Sequence, residues 1–238
     1  MSNTNSVINI AIDGPAGSGK STLAKRLAKE QGYIYVDTGA MYRAMALYLI
    51  RQEIDPGDAE KIERACQDVD ITIDYVNNEQ VVLLNGENVN GLIRTEEVSK
   101  MASVSSANGR VREKLVALQK ELAKKRSVVM DGRDIGTVVL PNAQVKIYMD
   151  ASPRVRAKRR YDELSARGEA CDLETIEQEI IERDHRDMTR ENSPLKQAED
   201  AVYLNTSELS VEEVLVRMKE IINDRLGNGP DTTYGEKL

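Results

Sequence analysis

The chain has 238 residues and a formal net charge of −7 at pH 7, and hydrophobic residues make up 40% of it. This length is sufficient for one sizeable α/β core without disulfide bonds, and the acidic balance disfavours a dedicated nucleic-acid-binding protein. The two cysteines lack metal-ligand spacing and no apolar run approaches the roughly 18 residues of a membrane span, so we expect free thiols in a soluble, cytoplasmic protein.

The first predicted elements are a buried strand over 7–12, a glycine-rich loop and a helix. The loop fits the pattern G-x-x-x-x-G-K-[ST], in which backbone N–H groups and a helix N-terminus surround phosphate groups. Lys20 is expected to reach the outer phosphates, and the Ser21 hydroxyl to ligate the magnesium ion that bridges them. A turn that only connects strand to helix is the alternative, but the loop and both flanks match together, so we predict a nucleoside triphosphate site. Its predicted residues are Gly14, Pro15, Ala16, Gly17, Ser18, Gly19, Lys20, Ser21 and Thr22.

The second predicted strand, over 33–36, ends in Asp37-Thr38-Gly39 and precedes a helix from about 40 to 50. From 69 to 92 the pattern changes to alternating apolar and polar residues interrupted by turn signals, which is typical of antiparallel hairpins. We interpret this segment as a separate small lobe inserted into an alternating βα chain. Membership of the main sheet is the alternative, although strands of a parallel sheet are apolar throughout.

The remaining elements continue the alternation of strand and helix. In chain order they are a helix over 104–126, strands over 128–130 and 145–149, a helix that opens after 150–153, a short strand over 202–204 and an amphipathic helix over 211–222. Residues from 227 onward have the composition of a disordered tail.

Three polar clusters follow strands of the predicted parallel sheet: the phosphate loop, Asp37-Thr38-Gly39 and Asp131-Gly132-Arg133-Asp134. Ligands of such sheets bind beyond the carboxyl ends of the strands, so we expect the three clusters to converge. Asp131 stands at the end of an apolar strand, where an acid can help to hold magnesium. Asp13, which directly precedes the phosphate loop, is the alternative for this role.

Transfer of a phosphoryl group requires positioning and neutralisation of charge, for which arginine is suited. Arg43, one helical turn after the second polar cluster, and Arg133 are candidates for holding an acceptor phosphate. The spacing of Arg183, Asp187 and Arg190 predicts that they share one helix face.

A basic run at 154–160 and a polar, glycine-containing stretch precede that helix. This combination favours a mobile helical lid that supplies arginine to the transferring phosphoryl group. A solvated helix with surface ion pairs is the alternative interpretation.

In combination, these motifs resemble the bacterial cytidylate kinase family over about 8–222. The resemblance is carried by 12–21, 37–43, 93–98, 110–113, 131–139 and 182–190. The hairpin segment is similar to the enlarged monophosphate-binding lobe of that family. The resemblance implies an α/β P-loop NTPase fold with three α/β/α layers around a parallel five-stranded sheet. It also implies Mg²⁺-dependent transfer of the γ-phosphoryl group of ATP to CMP or dCMP.

The same resemblance divides the chain into a core (about 7–37, 110–153 and 191–226), a monophosphate-binding insertion (about 38–109) and a lid (about 154–190). The expected partners are ATP and CMP or dCMP, with neither nucleic acid nor membrane, and we expect a monomer. Another P-loop kinase that phosphorylates AMP, shikimate or dephospho-coenzyme A is the first alternative. A nucleotide-binding regulatory module is the second.

The resemblance implies that Ser103, Arg112 and Asp134 recognise the cytosine ring. A carboxylate matches the exocyclic amine of cytosine and an arginine matches its acceptors, whereas uracil would leave buried groups unpaired. The residues implied to bind the monophosphate or sugar are Asp37, Thr38, Arg43, Arg133, Arg183, Asp187 and Arg190. The predicted catalytic residues are Lys20, Arg133, Arg183 and Arg190. Arg159 is predicted to join the phosphate loop in binding ATP, and Ser21 and Asp131 to hold the metal.

Overall fold

The structure, a computed structural model, describes residues 7–77 and 79–227. Its strands, in chain order, are β1 (Asn9–Asp13), β2 (Ile34–Asp37), β3 (Ile71–Val76), β4 (Glu79–Leu84), β5 (Glu87–Asn88), β6 (Val128–Gly132), β7 (Val145–Asp150) and β8 (Val202–Asn205). Its helices are α1 (Lys20–Gln31), α2 (Thr38–Arg51), α3 (Ala59–Asp68), α4 (Glu96–Ser105), α5 (Gly109–Lys125), α6 (Pro153–Ala166), α7 (Leu173–Thr189) and α8 (Val211–Leu226). A short π-helical segment covers Ile135–Val139.

Five strands form a parallel sheet in the order β2–β6–β1–β7–β8, with β1 at its centre. Side chains of β1 alternate between two cores. Ile10 and Ile12 pack in a cluster with Leu27 of α1, whereas Ala11 packs in a second cluster with Met41 of α2. Because helices cover both faces, the strand is apolar throughout. The predicted three-layer α/β/α fold with a five-stranded parallel sheet is confirmed.

Strands β3, β4 and β5 form a separate antiparallel sheet, so the predicted inserted hairpin is confirmed and its alternative, membership of the main sheet, is wrong. Asn85 and Gly86 turn the chain between β4 and β5 with φ values of 49° and 82°. Positive φ at both positions is what a two-residue hairpin turn requires. The Gln80 side chain joins this sheet to the core, since it donates to the Asp37 carbonyl at 3.2 Å and accepts from the Asp37 N–H at 2.8 Å.

The single long helix predicted before β6 is wrong at its beginning. Helix α4 ends at Ser105, and α5 begins after Asn108, whose side chain accepts from the Arg110 N–H at 2.9 Å and caps the new helix. Apolar spacing continues across the break, which is why the spacing did not reveal it. The break leaves Ser103 in the last turn of α4 and Arg112 in the first turn of α5, on two elements that meet at the site described below.

The sequence prediction for the C-terminal part of the chain differs from the structure at one residue. Gly227, assigned to the disordered tail, is the left-handed cap of α8 with a φ of 73°. The rest of that predicted tail, residues 228–238, lies outside the described residues. In the described ranges, none of the helices is long and apolar enough to cross a lipid bilayer.

Candidate active site

The carboxyl edge of the parallel sheet brings the three predicted polar clusters together. In the strand register, Asp37 at the end of β2 lies beside Asp131 of β6, and Asp13 at the end of β1 lies beside Gly132. Strand β2 ends one residue later than predicted and β6 ends two residues later, so these acids belong to the strands rather than to the loops that follow. Three acidic residues therefore line one edge, next to the glycine-rich loop.

The glycine-rich loop passes closely over β7. A Cβ atom at Gly14 would lie 1.9 Å from the carbonyl oxygen of Met149, so only glycine fits at this position. Gly19 occupies the N-cap position of α1 with a φ of 87° and has no side chain with which to cap the helix. The first N–H groups of α1 are thus available to an anion, as the phosphate-loop prediction requires.

Lys20 is buried at the beginning of α1, with 5% of its surface exposed, and donates from Nζ to the Pro15 carbonyl at 2.8 Å. Burial, and then the nearby positive charge of Arg133, lower the pKa of Lys20 to about 7 against the opposing effect of Asp131. A phosphate group beside Lys20 would supply a negative partner for its ammonium group and would thereby favour the protonated form.

The two predicted metal ligands are in direct contact. Ser21 donates from Oγ to Asp131 Oδ2 at 2.7 Å, and the Tyr35 hydroxyl donates to Oδ1 of the same carboxylate at 2.9 Å. Burial, and then the neighbouring charge of Asp37, raise the pKa of Asp131. In the described residues no group of three or more His, Cys, Asp or Glu side chains could hold a metal. A pair of oxygen ligands that leaves the other positions to water and phosphate suits Mg²⁺.

Asp13, the alternative for the metal, has a different role. Its carboxylate accepts from the backbone N–H groups of Ile135 and Gly136, at 2.8 and 2.7 Å, at the beginning of the π-helical segment. Burial raises the pKa of Asp13 to about 6, although these two hydrogen bonds act against the rise. Asp13 therefore fixes the segment that follows Asp134, and the contact with Ser21 favours Asp131 as the metal ligand.

Predicted substrate residues from three elements meet beyond β6. Arg133 donates from Nε to Asp187 Oδ2 at 2.9 Å, and Arg190 approaches Oδ1 of the same carboxylate at 3.7 Å. Burial opposes ionisation of Asp187, but Arg133 and the other arginines beside it hold its pKa below the usual range. Burial, followed by the charge of Arg133, lowers the pKa of Arg183 to about 10. Cations are thus crowded here, as in a site built for anions.

The prediction of one shared helix face is confirmed for Arg183 and Asp187 only. Helix α7 ends at Thr189, and Arg190 is the extended residue after it, with a ψ of 141°. Arg190 still reaches Asp187 because the chain turns back there. Its Nε donates to the Ser193 carbonyl at 2.8 Å.

Asp37 organises the predicted acceptor-phosphate residues. Its Oδ1 accepts from the Ala40 N–H at 2.8 Å and caps α2, while its Oδ2 pairs with Arg43 at 3.0 Å. The Thr38 hydroxyl donates to the Asp131 carbonyl at 2.7 Å. In this structure, therefore, Thr38 tightens the junction of β6 and α2.

The three residues implied to recognise a base surround one buried ion pair. Arg112 and Asp134 are in contact with about a twentieth of each side chain exposed, and Arg190 lies 3.9 Å from the other oxygen of Asp134. Tyr42, which the sequence analysis missed, places its ring 5.4 Å from the Arg112 guanidinium. Within the described residues, the Ser103 hydroxyl, the Tyr42 hydroxyl and Arg112 Nε are buried without a hydrogen-bond partner. A planar polar ligand could use these unpaired groups.

The basic run at 154–160 divides into two groups. Arg154, Lys158 and Arg160 form exposed ion pairs on the surface of α6 and α7. Arg159 donates to the Thr206 carbonyl at 2.8 Å and to the Ser18 carbonyl at 3.3 Å, next to the phosphate loop. Arg156, which no motif singled out, is buried and joins the loop to α7.

Arg156 makes three contacts with three different segments. It donates to the Ala16 carbonyl of the phosphate loop at 3.1 Å, to the Ala151 carbonyl at 2.7 Å, and to Asp184 of α7 at 2.6 Å. A charge pattern cannot show which arginine of a basic run points inward. The only signal in the sequence was the apolar Ala157 beside it, which is buried too.

Comparisons with known proteins agree with this geometry. A family model described as "Cytidylate kinase" matches residues 10–224. The chain is 50% identical over 220 residues to a cytidylate kinase of Geobacillus sp. (strain WCH70), which covers 92% of this chain and 98% of the relative. It is 51% identical over 214 residues to a cytidylate kinase of Caldicellulosiruptor bescii, and the match covers 90% of this chain and 95% of the relative.

Among solved structures, an uncharacterized protein from Eubacterium ventriosum covers 91% of this chain and 98% of its own, with a TM-score of 0.50 and 13% identity. At that identity the likeness concerns the fold alone.

Proposed function

The chain belongs to the cytidylate kinase family, and on that premise we propose that it transfers the γ-phosphoryl group of ATP to CMP or dCMP. One structural observation supports this proposal independently of family membership. An unbroken series of contacts runs from Arg133 through Asp187 and Arg190 to Asp134 and Arg112. It joins a cationic region beside the phosphate loop to a buried polar pocket, as a molecule with a phosphate at one end and a polar ring at the other requires.

The donor nucleotide would bind at the glycine-rich loop. Backbone N–H groups of 14–19 and the first turn of α1 would hold its phosphates, with Lys20 at the outer ones. Arg159 supports this proposal, since it already contacts the Ser18 carbonyl at 3.3 Å. Ser21 and Asp131 would hold the magnesium ion, which, when bound, neutralises charge on the phosphates.

The acceptor nucleotide would lie across the ends of β2 and β6. Arg43, Arg133 and Arg183 would bind its phosphate, and Asp187 would keep Arg133 in position. An oxygen of that phosphate attacks the γ-phosphorus while the bond to the bridging oxygen of ADP breaks. No proton must be removed from a phosphomonoester dianion, which agrees with the exposed position of His185, the only histidine of the chain.

Selection of the base would follow from the pocket around Asp134. Its carboxylate would accept from the exocyclic amine of cytosine, and Arg112 would donate to the ring acceptors. Uracil carries a carbonyl in place of the amine, so it would turn an acceptor toward a buried carboxylate. A site that leaves buried polar groups unpaired rejects the wrong ligand strongly.

We also propose that 38–109 is the acceptor-binding insertion and 154–190 a lid over the donor. The buried contacts of Arg156 support a lid that communicates with the phosphate loop, since this side chain joins α6 to the loop and to Asp184 of α7. A monomeric state, a cytoplasmic location and the absence of nucleic-acid and membrane partners stay predictions.

The metal assignment leads to a first expected result. Asp131→Asn should lower kcat by about 10–100-fold and raise the Mg²⁺ concentration needed for half-maximal activity, because it removes a charge next to Ser21. Tyr35→Phe removes only the hydrogen bond to the same carboxylate and is the matched control, with a smaller expected effect. Titration of both variants with Mg²⁺ at saturating ATP measures the difference. An unchanged Mg²⁺ dependence in Asp131→Asn would remove Asp131 from the metal site.

The function itself is tested with a panel of acceptors at fixed MgATP. CMP and dCMP should be phosphorylated with kcat/KM values at least about 100-fold above those for UMP, AMP, shikimate and dephospho-coenzyme A, as the loss of one or two buried hydrogen bonds requires. Coupled detection of ADP and direct detection of CDP measure the turnover. Preferred turnover of AMP or of a non-nucleotide would overturn the proposal. Hydrolysis of ATP without formation of CDP would favour a regulatory module.

A further inference from the structure

Arg94 belongs to a segment of the sequence, 93–98, to which neither the resemblance nor the site above gives a role. Its backbone is held firmly. The preceding Ile93 is buried and donates from its N–H to the Val89 carbonyl at 3.1 Å, and the following Thr95 caps α4 through the Val98 N–H at 3.3 Å. The side chain of Arg94, in contrast, is 71% exposed. A fixed backbone thus carries a long cationic side chain that is free to change its partner.

That side chain reaches across from the inserted lobe to the core. Arg94 Nη2 lies 3.3 Å from Asp37 Oδ2, the same oxygen that pairs with Arg43 at 3.0 Å. One carboxylate oxygen cannot neutralise two guanidinium groups. The positive charge left over lies beside Arg43, the residue proposed to bind the acceptor phosphate.

Arg94 also lines a cleft beside the proposed metal position. A cleft of about 320 Å³ separates the inserted lobe from the core, and Arg94, Asp37 and Ser21 all line it. Ser21 marks the position of the metal and the outer donor phosphates. Arg94 therefore lines the same cleft as Ser21 and lies next to Asp37, the partner of Arg43.

We propose that Arg94 binds the phosphate of the acceptor nucleotide together with Arg43, exchanging its long contact with Asp37 for a contact with the phosphate. The inference rests on the proposed function, because it identifies a further substrate-binding residue of that site. A guanidinium group binds a phosphate dianion more strongly than an already paired carboxylate, since the phosphate offers more charge and two oxygens to one planar fork. The acceptor phosphate would then be held by both the core and the insertion.

The competing explanation is structural: the Arg94–Asp37 pair would only attach the inserted lobe to the core. The chain contains a matched control for this explanation. Arg51 of α2 pairs with Glu87 of β5 at 2.6 Å, on half-exposed side chains outside the cleft, and so attaches the small antiparallel sheet to the helix that follows Asp37. Arg51→Met removes an ion pair that fastens the antiparallel sheet, without touching the cleft.

The experiment compares Arg94→Met, Arg94→Lys and Arg51→Met for binding of CMP and of cytidine, which lacks the phosphate. We expect Arg94→Met to weaken CMP binding about tenfold and Arg94→Lys to weaken it by less. Arg51→Met should bind CMP with the wild-type affinity. Affinity for cytidine should be the same in all four proteins, and the KM for ATP should stay within about twofold, because neither contact involves the ring or the donor.

Two outcomes would overturn the inference. Equal losses for CMP and cytidine in Arg94→Met, or an equal loss in Arg51→Met, would show that the residue acts by attaching the lobe. CMP binding unchanged in Arg94→Met would show that it takes no part in binding the phosphate. Failure of the proposed function is recognised separately, since the wild-type protein would then not prefer CMP in the acceptor panel.

Discussion

Lys20→Met is expected to reduce kcat by about 10³-fold while the protein stays folded. The substitution removes the buried cation that would neutralise charge on the outer phosphates as the phosphoryl group is transferred. A methionine fills a similar volume, and within the described residues Lys20 donates a single hydrogen bond, to the Pro15 carbonyl. Steady-state turnover of CMP with MgATP measures the loss, and thermal unfolding measures the fold.

Lys25→Met is the matched control for this change. Lys25 lies in the second turn of the same helix, but its side chain is 57% exposed and pairs with Glu79 at 2.8 Å. Its removal should change kcat by less than about threefold, as for other exposed ion pairs. Equal losses in the two variants would mean that overall charge near the loop, rather than the position of Lys20, drives catalysis.

Asp134→Ala should lower kcat/KM for CMP by about 100-fold, with the KM for ATP little changed. The ratio of kcat/KM for CMP to that for UMP should fall by about tenfold or more. The substitution should also destabilise the protein by about 3–5 kcal/mol, because Arg112 is left buried without its partner. The milder Asp134→Asn, which keeps the shape of the side chain, should show the change in base preference with less loss of stability. Kinetics with CMP and UMP and chemical denaturation measure the two effects.

Asp184→Asn separates stability from recognition. Asp184 is also a buried carboxylate paired with an arginine, Arg156, but it lies in α7, away from the ion pair of Arg112 and Asp134. Its substitution should reduce stability while leaving the ratio of CMP to UMP turnover unchanged. If the ratio also stays unchanged in Asp134→Asn, Asp134 has no part in selecting the base.

The sequence predicted the fold well because each layer leaves a periodic signal. Strand β1 is buried on both faces and its centre, 10–12, is entirely apolar, whereas the hairpin of β3 and β4 shows alternation with a marked turn. The break between α4 and α5 left no such signal. The apolar spacing continues across it, and the local sign of the break is the Asn108-Gly109 pair, whose asparagine caps α5.

The predicted site residues were found as motifs, but their partners were not. The phosphate loop and the acids at the strand ends follow from local patterns, whereas Tyr42, Arg94 and Arg156 act through residues that are distant in sequence. Arg156 stands in a basic run whose other members mostly form surface ion pairs, and composition treats them alike. Which of these side chains points inward depends on tertiary contacts that no local pattern contains.

The contact between Arg112 and Asp134 has a thermodynamic consequence. Tyr42 lies beside the guanidinium and Asp13 fixes the backbone that follows the carboxylate, so the groups proposed to contact the ring are already held in position. Association of the ring should therefore incur little ordering entropy and have a mainly enthalpic signature. Rigid heteroaromatic compounds with an amine next to a ring acceptor would be the natural starting point for inhibitors of this protein.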